Sequence, residues 1–150
     1  MDLERTISFC SAEIRVIIHA TEDENKILDS LCDIFSISAD RFQLVESLGH
    51  WGNRISLLTG RLESTEANSL VLKILSALNS VDMNNLSNSF HKFIDEKGNL
   101  YLRLDKQRIC RKHISLSEVD SVRFRFKPVR RFKIDKNYDY LQRGFLTSKR

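Results

Sequence analysis

The densest run of side chains able to do chemistry is Leu102-Arg103-Leu104-Asp105-Lys106-Gln107, followed at once by Arg108, Arg111, Lys112 and His113. Cations at this density, at the end of an expected strand, suit phosphate oxygens, and the Gln107 carboxamide could bond a base edge or a ribose hydroxyl. The same residues also suit a solvated loop in which Asp105 neutralises Lys106 or Arg103. A second group, Arg123, Arg125, Lys127, Arg130, Arg131 and Lys133, is interleaved with Phe124, Phe126 and Phe132. Guanidinium forks match phosphate geometry and stack on bases. Alternation turns Phe124 and Phe126 away from those cations and toward a core, so only the cations enter the candidate site. A third group is Gly49-His50-Trp51-Gly52-Asn53, which holds the chain's one tryptophan. An indole between two glycines can stack on a base, and it can equally fold back to cap a core.

Residues for bond-making chemistry are not grouped in this way. His19, His50, His91 and His113 show neither an i, i+4 nor a close-cysteine spacing for zinc, no Gly-rich phosphate loop ends in Lys-Ser/Thr, and no nucleophile elbow is present. Glu22-Asp23-Glu24 is a compact acidic cluster, but it falls at an expected helix start, where negative charge complements the macrodipole. A two-metal nuclease site assembled from non-adjacent carboxylates stays open as an alternative. The expectation is a non-enzyme, with no catalytic residue, no metal ligand and no cofactor.

Charge distribution separates the chain into unlike parts. The formal net charge is +4, yet residues 1 to 100 hold 9 Lys/Arg against 15 Asp/Glu, or −6, and residues 101 to 150 hold 15 against 5, or +10. A basic segment of that density can collect a nucleic-acid backbone by counterion release, while the acidic remainder limits indiscriminate coating. A basic tail serving solubility or docking on an acidic protein is the alternative. The chain's 150 residues suit one core plus a tail. No apolar run approaches the ~18 residues of a membrane-spanning helix, and Asp2, Glu4 and Arg5 before Ile7 do not read as a signal peptide. Cys10, Cys32 and Cys110 lie far apart, which suits reduced thiols and a cytoplasmic setting.

The elements that must position these groups follow from periodicity. Ile14, Val16 and Ile18 alternate as a strand; Thr21 and Glu24 form a capping-box pattern ahead of a helical stripe at Ile27, Leu28, Leu31, Ile34 and Phe35. Phe42 to Leu48 and Arg54 to Leu62 flank the Gly49-Asn53 turn as a β-hairpin. After Ser64, Ala67, Leu70, Val71, Ile74, Leu75 and Leu78 make a second helical face. Met83 to Phe90 reads as a short third helix. Lys92-Phe93-Ile94 and Leu100 to Leu104 read as a second hairpin around Asp95-Asn99, with Gly98 placed where a bulge or a left-handed residue is wanted. Lys106 to Lys112 is a loop or single helical turn. Val122 to Lys127 is a last strand ended by Pro128, and the pattern then dissolves into a basic stretch expected to be a mobile tail or a short appended helix. The order implies an α+β fold: a two-layer sandwich with a mostly antiparallel sheet and helices on one face, over residues 1–128, followed by a basic tail, 129–150. The open face, bearing Tyr101, Arg103, Arg123, Arg125 and Lys127, would suit a nucleic-acid backbone and unstacked bases.

Four of these segments carry a resemblance: His19-Ala20-Thr21-Glu22-Asp23, Gly49-His50-Trp51-Gly52-Asn53, Tyr101-Leu102-Arg103-Leu104-Asp105-Lys106-Gln107, and Val122 to Lys127. In this order and spacing they resemble an archaeal family of predicted exosome subunits, RNA-binding proteins with a fold like that of the large-subunit ribosomal protein that binds 5S rRNA. The resemblance covers roughly residues 7 to 128. It implies a non-catalytic RNA-binding sandwich, accessory to RNA processing or degradation or related to the ribosome, with exosome or ribosome components as further partners. After Lys106-Gln107 the family often has an aromatic and a glycine, where this chain has Arg108-Ile109-Cys110. The expected RNA contacts are Arg103, Lys106, Gln107, Arg108, Arg123, Arg125 and Lys127, joined by His50, Trp51 and Asn53. A homodimer through a sheet edge stays open, and the competing reading is a protein-interaction subunit that docks through its basic tail.

Overall fold

In the computed structural model, which describes residues 9–129, the alternation at Ile14, Val16 and Ile18 belongs to a longer strand, β1 (Phe9–His19). It is the centre of a five-stranded sheet because both of its edges are taken. β3 (Arg54–Glu63) pairs with one edge and β5 (Ser121–Pro128) with the other; β2 (Phe42–Leu48) and β4 (Leu100–Asp105) lie outside them, giving the order β2-β3-β1-β5-β4. Every neighbouring pair is antiparallel.

Period-2 burial decides which face meets the core. Ile14, Val16 and Ile18 of β1, Leu58 and Leu62 of β3, Leu100, Leu102 and Leu104 of β4, and Val122, Phe124 and Phe126 of β5 are buried. Against them pack Ile27, Leu31 and Phe35 of α1 (Glu24–Phe35) and the broad apolar face of α2 (Ser64–Ala77). Phe35 meets Phe124 edge-on at 5.5 Å, a favoured aromatic geometry. Phe42 lies over Gly60, where a Cβ would come within 2.7 Å of its ring; the missing side chain lets the edge strand close on the sheet. The result is the expected two-layer α+β sandwich with one sheet face left open. Among the described residues no helix is long and apolar enough to cross a membrane, and the three cysteines are free thiols.

Three local expectations are corrected. Thr21 does not cap α1. Asp23 does, its Oδ1 accepting from the backbone N–H of Asn25 at 3.0 Å and of Lys26 at 3.2 Å, while Glu24 turns to Ser56 on β3 and accepts its hydroxyl at 2.7 Å. The third helix is α3 (Ser80–Asn88), beginning three residues earlier than the apolar pattern suggests, because Asn79 caps it by accepting from the Asp82 N–H at 2.8 Å. Lys92-Phe93-Ile94 is not a strand: a 3-10 turn, Phe90–Lys92, carries Phe90 into the core, and only one bridge, Ile94 to Leu100, remains of that hairpin. The turn itself is as read. Gly98 has φ +87, and the Asp95 carboxylate accepts from the N–H groups of Lys97 and Asn99, both at 2.9 Å. The expected helical turn is α4 (Lys106–Cys110), beside α1 in the helical layer. Arg130, Arg131, Lys133 and the rest of the expected tail beyond Val129 lie outside the described residues.

Candidate nucleic-acid interface

Strand register, which the sequence does not state, assembles the open face. Arg103 of β4 stands opposite Arg123 of β5, and Arg123 stands opposite Arg15 of β1. Side chains directly opposite on adjacent strands have Cβ atoms about 5 Å apart, so three exposed guanidinium groups cross the sheet in one row. Among the described residues none of the three makes an ion pair with a carboxylate. Like charges placed this way repel and cost stability. The next row runs Tyr101, Arg125, Glu13, Arg61, and beyond it Lys127 stands opposite Ser11. A shallow depression of about 230 Å³ lies among Glu13, Arg15, Tyr101, Arg103, Arg123 and Arg125.

Tyr101 holds one end of this surface rigid. Its hydroxyl donates to Asp95 Oδ2 at 2.9 Å. Burial and that bond push the Tyr101 phenol above its ordinary range. Burial alone would raise Asp95 as well, but hydrogen bonds from the Asn99 side chain, from Tyr101 and from two backbone N–H groups outweigh it and hold the carboxyl below its usual value.

Lys106 leaves the contact set. Its side chain is 1% exposed, and Nζ donates to the Ile17 carbonyl at 2.9 Å and pairs with Glu22 Oε1 and Asp120 Oδ1, each at 2.8 Å. An ammonium so enclosed cannot also reach a phosphate. Gln107 is exposed, but its amide nitrogen donates to Glu22 Oε2 at 2.9 Å, so the Lys-Gln pair braces the start of α1 against the end of β4. For Glu22, burial is the largest single influence and would raise its carboxyl, but the His19 N–H together with Lys106 brings it below the ordinary value. The hydrogen bond from Lys106 does the same for Asp120. Arg108 is exposed on α4 and therefore stands on an element of the helical layer, away from the arginine row.

The β2-β3 turn is closed by Gly49 N–H to the Asn53 carbonyl at 2.6 Å, with Gly52 at φ +78. Asn53 packs its side chain over Gly49. Trp51 is 88% exposed and meets His50 edge-on at 4.8 Å, which removes the alternative in which the indole caps the core. From Thr59, the register partner of Arg15, to Arg54 at the turn is roughly 17 Å at ~3.3 Å per residue. The surface between carries one apolar row, in which Ile17, Leu57 and Val45 stand side by side on three strands. Among the described residues no three His, Cys, Asp or Glu side chains cluster as metal ligands.

A family model described as RNA binding matches residues 11–128, which takes in all five strands apart from the first two residues of β1. The chain belongs to this RNA-binding family. Among its relatives is RNA-binding protein PAB1135 of Pyrococcus abyssi, 30% identical over 114 residues, 73% of this chain and 74% of that protein. Another, uncharacterized protein MJ0213 of Methanocaldococcus jannaschii, is 30% identical over 104 residues, 65% of this chain and 69% of that one. Among solved structures, protein SSO0741 of Sulfolobus solfataricus, a DUF54 protein, superposes with a TM-score of 0.75 at 26% identity, covering 91% of this chain and 98% of that one. Protein AF2318 of Archaeglobus fulgidus, also DUF54, gives 0.73 at 22%, covering 91% and 99%, a likeness of fold. For this member of the RNA-binding family, the open face adds two cations that its sequence pattern did not single out, Arg15 and Arg61. Arg15 reads in the sequence only as an interruption of the apolar run from Ile14 to Ala20. Its partners lie more than 80 residues away, so the one usable signal was its odd position in the alternation of β1.

Proposed function

We propose that this protein is a non-catalytic RNA-binding module that grips the phosphate backbone on its open sheet face. Arg15, Arg103 and Arg123 form the centre of the grip, with Arg125 and Lys127 beside them and the exposed Trp51 offering a base a stacking surface at the far end. The observation that carries this reading is the row of three guanidinium groups in direct cross-strand register, none of which makes an ion pair with a carboxylate among the described residues. A polyanion supplies the missing countercharge. The Pyrococcus abyssi relative, named an RNA-binding protein, supports RNA as that polyanion. The wider setting we propose is a cytoplasmic accessory role in RNA processing or degradation, with exosome or ribosome components as partners.

The test is fluorescence anisotropy on a single-stranded RNA at several salt concentrations. With three to five phosphates neutralised, log K should fall against log salt with a slope of about −2 to −3.5, from roughly −0.7 per phosphate on single strands. A flat dependence would sink the phosphate grip. Removing residues 129–150 separates the competing reading: on the sheet-face grip the shortened chain should keep most of its RNA affinity and salt slope together with its protein partners, whereas a chain that keeps its RNA affinity but loses its protein partners would mark the tail as a protein handle.

Trp51 gives a second check. Its replacement by alanine is expected to change stability by less than about 0.5 kcal/mol, as for other surface positions, while RNA affinity falls by about 1 kcal/mol, the low end for a stacked base. As the chain's one tryptophan, it also reports directly, since its emission should be quenched on RNA addition. Unchanged emission at saturating RNA would remove it from the interface.

A further inference from the structure

We propose that a cleft at the outer edge of β4 receives one unstacked nucleobase with an exocyclic amino group beside a ring acceptor nitrogen, as in adenine or cytosine. This rests on the RNA reading above and places on the strand that crosses the arginine row a base dropped over the edge of the sheet.

The cleft exists because β4 is an edge strand covered only at its ends. At one end the Tyr101 N–H donates to the Phe93 carbonyl at 2.7 Å, next to the Ile94 to Leu100 bridge. At the other, Leu104 bridges to Leu116, the Ser117 N–H donates to the Arg103 carbonyl at 3.0 Å, and Asp82 Oδ2 fixes this flap by accepting from the Leu116 N–H at 2.9 Å. Between the two covers lies a cavity of about 650 Å³, within the usual range for small-molecule sites.

Alternation fixes what β4 shows to it. Because Tyr101 and Arg103 turn their outward groups away from β5, the Tyr101 carbonyl and the Arg103 N–H both point into the gap. Neither has a backbone partner among the described residues. An acceptor and a donor side by side on a strand edge pair with any base edge that sets a donor beside an acceptor, the imide of uracil as well as the amino group and ring nitrogen of adenine or cytosine, so the choice between bases falls to the side chains around them. Phe93 and Tyr101 are among the residues that line the same space, and the Tyr101 hydroxyl is held by its bond to Asp95, so aromatic residues border the place of a planar ring.

Charge selects the kind of ligand. Lys92 and Arg103 on the lining are balanced by Asp82 and Glu118, so the cleft is not a second phosphate site. It suits a neutral, polar, planar group. Glu118, exposed at the rim, adds an acceptor that favours an amino group and disfavours the carbonyl that uracil would present there. Arg103 belongs to both places: its guanidinium stands in the phosphate row while its backbone N–H faces the cleft. One residue would thus hold a nucleotide's phosphate over the sheet and its base beyond the edge.

The test compares equal-length labelled oligo(A), oligo(C) and oligo(U) on the wild-type chain and on an Asn85→Ala/Glu118→Ala variant, which removes two exposed polar side chains of residues that line the cleft. The wild type should bind oligo(A) and oligo(C) about tenfold more tightly than oligo(U), as one well-made paired contact provides. In the variant the first two should fall to the oligo(U) level while oligo(U) is unchanged. Equal wild-type affinities, or a preference that survives in the variant, would overturn the cleft assignment and leave the phosphate grip standing. If no oligonucleotide binds, the RNA reading itself has failed, and the cleft is then judged by NMR titration with AMP, CMP and UMP. Saturable shifts of the Arg103 and Ser117 amides with AMP or CMP but not UMP would support it, and their absence would overturn it.

Discussion

Replacing Lys106 with methionine is expected to lower the stability of the fold by about 3 kcal/mol at pH 7, the lower end for removing one partner of a buried ion pair. The methionine fills much of the space but leaves Glu22 and Asp120 facing one another with no cation between them. Of these, Asp120 is 43% exposed and can regain water, whereas Glu22 is only 15% exposed; this is why the lower end applies. The Ile17 carbonyl also loses its donor. Denaturant unfolding followed by circular dichroism would check it, as a fall in midpoint at unchanged slope. A loss under about 1 kcal/mol would show that the cluster contributes no more than a surface pair does.

The pH dependence supplies a sign as well as a size. Glu22 and Asp120 both lie below their ordinary values of 4.5 and 3.8 in the folded chain, so the folded state binds fewer protons than the unfolded one. Their contribution is present in full above those ordinary values. It is lost as pH falls through the lower, folded values. The methionine variant should behave in the opposite way: its carboxylates have no lysine to hold them charged, so protonation relieves it. The gap between wild type and variant should therefore narrow from pH 7 toward pH 3.5, and a gap that stayed constant would indicate lost packing rather than lost charge.

Lys106 also shows where a sequence stops speaking. The helices and the five strands were legible because each depends on neighbours within one element, such as the 3.6-residue stripe from Ile27 to Phe35 or the alternation from Val122 to Lys127. The β2-β3 hairpin was legible to within one residue of its ends, since Gly49 and Gly52 bracket the turn. Which cation is buried and which is free depends instead on contacts between distant segments. Lys106 and Arg103 look alike within their run of basic residues, yet Lys106 meets Glu22, 84 positions away, and Arg103 stands opposite Arg123 on the open face. The short span from Lys92 to Ile94 failed for a related reason: Phe90 is fully buried, and drawing it into the core bends the following residues away from a straight strand. The open face itself was legible from Tyr101, Arg103, Arg123, Arg125 and Lys127. Its centre was not, because Arg15 joins it only through the pairing of β1 with β5.

Replacing Arg15, Arg103 and Arg123 together with alanine is expected to weaken RNA binding on the order of 100-fold at 0.1 M salt and to reduce the salt slope by about 2, three phosphates at roughly 0.7 each. Bonds to charged groups are individually worth more than this implies, about 1.5 kcal/mol or above, but neighbouring contacts do not add, and the strand can shift toward Arg125 and Lys127. The same change should leave the fold as stable as before or slightly more so, because it removes like charges placed directly opposite one another. Those two signs separate a binding row from a structural one. A structural row would lose stability and affinity together. Arg15→Ala alone sharpens the test, since Arg15 lies on the central strand, far in sequence from the basic segment. Anisotropy titrations at two salt concentrations, with thermal melts of the same samples, would read both quantities. If Arg15→Ala leaves the salt slope unchanged while Arg103→Ala and Arg123→Ala each reduce it, the backbone runs along β4 and β5 without crossing β1.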